Sequence, residues 1–285
     1  MKAAGLMCIF FLLSAFVAVS HSAEADQLKI VIMQDQSGAA QNYRPLAEYL
    51  KGKGIEVNFV GAPNYSAAAA MFASGEADAM FSGSGIAGAM LLKDLAVPLV
   101  RPIGKDGFST YWAVVIAPKG SARFAGSAEY FKGKKVIFTA LASAGEFYFH
   151  SLVHAASVNA ITLTAASHGA ALDALSRGSA DIAIVKNRVW DKTKEKYPNL
   201  IEVGADKGEN PDNTLIVSHK TGPQTVSKLS AALFALKEDK SPQAEAVRTQ
   251  LNIQGYIKTT KTDFAHTMEL LKKAGVTKAF NFTFK

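Results

Sequence analysis

The chain has 285 residues, 31 basic against 24 acidic, a formal net charge of +7 at pH 7, and one cysteine. That length admits one large or two medium domains with a real core, and no low-complexity tract or solenoid-period repeat is present. No basic run is interleaved with aromatic residues, which argues against a nucleic-acid surface; the positive surplus reads either as a solvated basic surface or as a field that draws in anionic ligands.

At the N-terminus Lys2 supplies a positive n-region, Leu6 to Val19 is almost wholly apolar, and Ala23-Glu24-Ala25 offers a small-x-small cleavage site. Cleavage after Ser20 or Ser22 satisfies the same rule. Residues 1–25 are thus expected to be a secretory signal peptide, too short in its apolar core to span a bilayer, and the mature protein is expected in the periplasm. The single cysteine, Cys8, lies upstream of most of the apolar run, where a lipid anchor would need it downstream. The mature chain would then have no thiol, no disulfide and no lipid anchor of that kind. No later apolar stretch is long enough to span a bilayer.

Strands and helices then alternate. Leu28 to Met33 predicts a strand, Tyr43 to Lys51 a helix, Ile55 to Val60 a strand, Tyr65 to Ser74 a helix, Ala77 to Phe81 a strand and Ile86 to Leu95 a helix. Strands Ala96 to Ile103 and Tyr111 to Ala117 close the first half. The grammar repeats with strand Lys135 to Thr139, helix Glu146 to Ala156, strand Ile161 to Ala165, helix Gly169 to Arg177 and strand Asp181 to Val185. A polar loop, Asp206 to Asn213, precedes strand Thr214 to Ser218, and helices near Gln224 to Glu238 and Asp263 to Ala274 dominate the end. This pattern predicts an α/β fold of two lobes around parallel sheets. The first lobe is expected to comprise 26–117 plus about 214–285 and the second about 118–213. A ligand cleft between them, with hinge closure, follows from that arrangement.

Certain segments, in order, carry a resemblance: Arg44-Pro45-Leu46 with Tyr49-Leu50, Pro63-Asn64-Tyr65, Gly75-Glu76-Ala77-Asp78, Asp106-Gly107 with Tyr111-Trp112, and Ser167-His168 with Gly178 and Asp181. Over nearly the whole mature chain the sequence resembles the phosphate, phosphite and phosphonate type of periplasmic solute-binding proteins of ABC transporters. The resemblance implies a two-lobed, type II-like binding-protein fold. It also implies capture of a small anion for uptake through an inner-membrane permease, by a monomer without cofactor or enzymatic activity. Position by position, it implies a pocket containing Tyr65, Tyr111, the segment after Lys135 to Thr139 with Ser143 and Ala144, and His168. Tyrosine hydroxyls, an imidazole and helix-start N–H groups are the converging donors that a tetrahedral oxyanion needs. In Ala142-Ser143-Ala144-Gly145, where the family usually has a serine- and threonine-rich turn, only Ser143 keeps a hydroxyl. Ser143 and Glu146 also form the S-x-x-E pattern of a helix capping box. Relatives that bind aminoalkylphosphonates hold the ammonium with acidic side chains; here the corresponding positions are Gly169 and Lys186, which fit a purely anionic ligand.

Other signals compete. Gly83-Ser84-Gly85-Ile86-Ala87-Gly88 matches G-x-G-x-x-G, but follows the third strand of its lobe instead of the first. Its glycines are better read as letting backbone approach the cleft, with Ser82 or Ser84 contacting ligand. Glu146, His150 and His154 share a helix face at a metal-compatible spacing, though not as H-E-x-x-H. Ser84, His168 and Asp181 compose a hydrolase triad only on paper. Presentation of the ligand to a membrane sensor kinase is one alternative to transport, and a periplasmic enzyme or metal-binding protein using Glu146, His150 and His154 is another.

Overall fold

The computed structural model describes residues 27–32, 38–139, 143–154 and 156–282. The signal segment expected at 1–25, Met33 and Ala142 lie outside the described residues. The first half contains β1 (Leu28–Ile32), a 3-10 turn leading into α1 (Arg44–Gly52), β2 (Val57–Gly61), α2 (Tyr65–Ser74), β3 (Ala79–Ser82), α3 (Ser84–Leu92), β4 (Ala96–Gly104) and β5 (Thr110–Tyr111). There follow β6 (Ala113–Pro118), β7 (Lys135–Thr139), α4 (Ala144–Val153), β8 (Ile161–Ala165), α5 (His168–Ser176), β9 (Ile182–Lys186), α6 (Asn187–Thr193) and β10 (Leu200–Ala205). The chain returns through β11 (Asn210–Pro211) to β12 (Thr214–Ser218), α7 (Pro223–Ala235), α8 (Pro242–Gln250), β13 (Ile253–Lys258) and α9 (Ala265–Lys273).

Two sheets form, in the orders β13-β4-β12-β3-β1-β2 and β10-β6-β9-β7-β8. Both follow one plan. A central strand, β1 or β7, has parallel partners on each side, and an antiparallel strand, β12 or β6, is inserted next. The inserted strands are those that the crossing chain lays down on entering each lobe. At the crossing itself β5 and β11 pair antiparallel, Tyr111 opposite Asn210 and Thr110 opposite Pro211. The α/β, two-lobed architecture expected from the alternating pattern is the one observed.

Alternation within the apolar strands explains why both sheet faces are covered. Ile30, Ile32, Phe81, Leu215 and Val217 point to one side, into the core beneath α1, α7 and α8. Val31, Met80 and Ile216 point to the other, against α2 and α3. In the second sheet Val136, Phe138, Ile182 and Ile184 face one core, and Ile137, Ala183 and Val185 the other. Full burial of each such side chain contributes ~1.5–3 kcal/mol.

Helix α9 joins the two bodies. Phe264, just before it, is buried with the first sheet's α2–α3 face, whereas Leu270 and Leu271 are buried with Phe147 of α4 in the second. Gly88 of α3 allows this approach, since a Cβ there would come within 2.7 Å of Leu271 and 3.1 Å of Thr267. The last glycine of the G-x-G-x-x-G match therefore serves helix packing. No helix among the described residues is long and apolar enough to cross a membrane.

Candidate functional site

A cleft of ≈ 540 Å³ opens where the carboxyl ends of the parallel strands of both sheets meet. Five strand-to-helix connections deliver a helix start to its wall. Tyr65 opens α2, Gly83 is the N-cap of α3, Ser143 and Ala144 begin α4, His168 opens α5, and Lys186 is the N-cap of α6. The caps are made locally. Asn64 Oδ1 accepts from Ala67 N at 2.9 Å, Ser143 Oγ from Glu146 N at 3.3 Å and Ser167 Oγ from Ala170 N at 3.1 Å. Each cap satisfies the third N–H of its helix; the first two have no intrahelical acceptor and face out from the helix end. Each long helix also brings roughly half a positive elementary charge to its start.

Gly145 shows how closely α4 is set against the sheet. A Cβ there would lie 2.1 Å from the Ile184 carbonyl oxygen and 2.9 Å from Phe138 Cβ. Only glycine lets the first turn of α4 rest on β7 and β9 with its N–H groups at the cleft.

Tyr111 is buried on β5 at the chain crossing, its hydroxyl hydrogen-bonded to Ser84 Oγ. Burial raises its pKa well above the ordinary phenol value, more than the Ser84 hydrogen bond lowers it, so it remains protonated. The Lys186 ammonium sits 4.5 Å from the centre of the Tyr111 ring and donates to Asp212 Oδ1. Arg188 reaches Asp212 Oδ2 at 3.4 Å, both oxygens of Asp106 at 2.9 and 2.7 Å, and the Phe108 carbonyl at 3.3 Å. Asp212 is the only acidic residue on the wall among the described residues, and it is already bound to two cations. Asn213 Nδ2 donates to Tyr43 Oη at 3.2 Å, and Gln250 Nε2 to Asn42 Oδ1 at 3.0 Å.

Of the residues singled out by sequence, Tyr65, Tyr111, Ser143, Ala144, His168 and Lys186 come together on this wall. Ser82 and Ser84 do not. Ser82 is buried and its Oγ donates to the Gly83 carbonyl at 3.2 Å, while Ser84 stands behind Tyr111. Lys186, expected to favour an anion, is itself paired with Asp212. Arg188, Lys192, Asp212, Asn213, Gln250 and Asn252 were not anticipated. Of these, Asp212 and Asn213 lay in a stretch whose Asp-Asn polarity was readable only as loop. Asp181, the third member of the paper triad, accepts from Lys135 N at 2.7 Å at the opposite end of its sheet. His150 packs its ring against Phe138 and Phe149, centroids 6.1 and 5.3 Å away. Among the described residues, no group of three or more His, Cys, Asp or Glu side chains is arranged to hold a metal ion.

The model of the phosphonate-binding family, the periplasmic substrate-binding proteins of ABC phosphonate transporters, matches residues 28–264. No curated protein matches the chain by sequence. Among solved structures, a Xanthomonas citri protein bound to chloride ion superposes with a TM-score of 0.73 at 15% identity, over 87% of this chain and 97% of that one. PhnD1 from Prochlorococcus marinus, in complex with methylphosphonate, gives 0.69 at 18% identity over 87% and 98%. A binding protein component of an ABC phosphonate transporter from Pseudomonas aeruginosa gives 0.68 at 18% identity over 86% of each chain. At these identities the likeness is one of fold: a two-lobed periplasmic binding protein.

Proposed function

The chain belongs to the periplasmic substrate-binding proteins of ABC phosphonate transporters, and on that premise we propose that its cleft captures a small phosphorus oxyanion and delivers it to an inner-membrane permease. The observation that carries the reading is the convergence of five helix starts, four of them on helices of nine or ten residues, on one cleft wall. Backbone N–H groups and aligned dipoles at such ends favour negative charge without any further cation. Tyr65 and the protonated Tyr111 add hydroxyl donors from different directions, and His168 adds a ring at the start of α5. The sole wall carboxylate among the described residues, Asp212, is bound by Lys186 and Arg188, so it neither repels an anion strongly nor stands ready to hold an amine. A solved neighbour carries methylphosphonate and another chloride; both are anions, which agrees with this reading. The residues at 1–25 fit export to the periplasm, and the family's transport role favours a permease over a sensor kinase as the receiving partner.

A thermal-shift and calorimetric screen of methylphosphonate, phosphate, phosphite and sulfate tests the proposal. A ligand at 100 times its dissociation constant stabilises the folded protein by ~2.7 kcal/mol, a readily measured rise in melting temperature. Absence of a shift with every oxyanion, alongside a shift with neutral or cationic solutes, overturns it.

A further inference from the structure

The oxyanion reading accounts for the inner end of the cleft and leaves its outer end unexplained. A phosphate or methylphosphonate fills the room of a few waters of ~30 Å³ each, whereas the cleft measures ≈ 540 Å³. Beyond the helix starts, the wall also takes residues from α6 and from the turn from α8 into β13, among them Gln250 and Asn252. Three cations line it from α6 and its N-cap: Lys186, Arg188 and Lys192. Lys186 and Arg188 are held by Asp212, and Arg188 by Asp106 as well. Lys192 is exposed and, among the described residues, makes no ion pair of the kind that holds Lys186 and Arg188. It follows Lys186 by six residues, a rise of ~9 Å along the helix.

We infer that the ligand is bifunctional, a phosphorus oxyanion at the helix starts joined through a few bonds to a carboxylate that Lys192 takes at the outer end, with Gln250 and Asn252 beside it. The inference rests on the oxyanion reading of the inner end. An ammonium tail finds no corresponding partner, because Asp212 is already shared by two side-chain cations.

Isothermal titration at low salt compares methylphosphonate, propylphosphonate, 3-phosphonopropionate and 2-aminoethylphosphonate on the wild type, Lys192→Ala and Lys192→Arg. In the wild type 3-phosphonopropionate is expected to bind about tenfold more tightly than propylphosphonate, as for a hydrogen bond to a charged group. That advantage should vanish in Lys192→Ala and return in Lys192→Arg, with methylphosphonate affinity unchanged throughout. Equal binding of the carboxylated and plain ligands, tighter binding of 2-aminoethylphosphonate, or an advantage that survives Lys192→Ala overturns the outer subsite while leaving the inner one standing. Failure of methylphosphonate and all three longer phosphonates to bind overturns this inference, and failure of phosphate and phosphite as well removes the oxyanion reading on which it rests.

Discussion

The Arg188 guanidinium of α6 grips both carboxylate oxygens of Asp106, in the turn after β4, at 2.9 and 2.7 Å. Asp106 follows a strand of the first sheet and Arg188, on the cleft wall, follows a strand of the second, so the pair links the two lobes beside the cleft. One guanidinium nitrogen, Nη2, serves both oxygens, so the contact is charge-assisted without being the two-nitrogen fork.

Such a bridge favours the closed arrangement. Asp106→Asn should therefore enlarge the radius of gyration of the ligand-free protein in small-angle scattering and weaken oxyanion binding about fivefold, or ~1 kcal/mol, the upper end for a partly exposed pair. An unchanged scattering curve together with unchanged affinity would show that the pair does not bias closure.

Tyr111 and Ser84 form a buried pair, and that changes what removing the phenol does. Tyr111→Phe takes a donor from the cleft, a loss expected to cost ~1.5–3 kcal/mol of binding to a charged ligand, and it also strands the fully buried Ser84 hydroxyl. Melting temperature should fall too, and Ser84→Ala added to Tyr111→Phe should recover part of that fall without recovering affinity. A double variant no more stable than Tyr111→Phe would rule out the coupling.

Gly145→Ala inserts a methyl group against the backbone of Ile184, which cannot swing aside as a side chain would. Overpacking of this kind costs ~1–3 kcal/mol or more. Because the displaced segment is the start of α4, affinity for an oxyanion should fall along with the melting temperature; calorimetric titration at a temperature where the variant is still folded separates the two effects. Full affinity there would mean that α4 does not contribute to the anion's site.

Acid stability reports on a different residue. Burial, followed by the nearby His154, pushes the His150 imidazole from its usual 6.5 down to about 4. Between these values the unfolded chain binds the proton and the folded one does not, so this contribution to stability is complete above pH 6.5 and is lost as pH falls toward 4. Melting curves at pH 4.5 and 7.5 should differ more for the wild type than for His150→Gln; the same difference in both would assign the acid loss to other groups.

The regular interior was legible because its strands are short runs rich in apolar and β-branched residues. Lys135–Thr139, Ile161–Ala165 and Thr214–Ser218 carry the bounds expected of them, as does α2 between Asn64 and Gly75. Strands β10 and β13 escaped for one physical reason. Both lie at sheet edges and both carry irregular register, at Glu202/Gly204 and Ile253/Gly255, which breaks the twofold alternation a strand would show. The single expected strand from Tyr111 is split at Trp112, because its first residue belongs to the crossing pair and the rest to the second sheet. Helix α6 was missed since it starts straight from the end of β9 without a side-chain cap, and with it Arg188 and Lys192. Helix α8 has a capping serine, Ser241, but a mostly polar sequence that gave little apolar period. Cleft residues near strand ends could be anticipated; Asp212, Gln250 and Asn252 arrive from distant segments that only the folded chain brings alongside.

The convergence of helix starts also bears on how such a receptor changes over generations. An attraction for anions held in main-chain N–H groups and dipoles is not encoded by any one codon, so substitution of a wall side chain leaves the underlying grip in place. The lineage is then free to exchange side chains on the outer wall and alter which anions are accepted, while every intermediate still captures something. Mutations that move a helix start are a different matter, and Gly145 marks a position where drift is blocked.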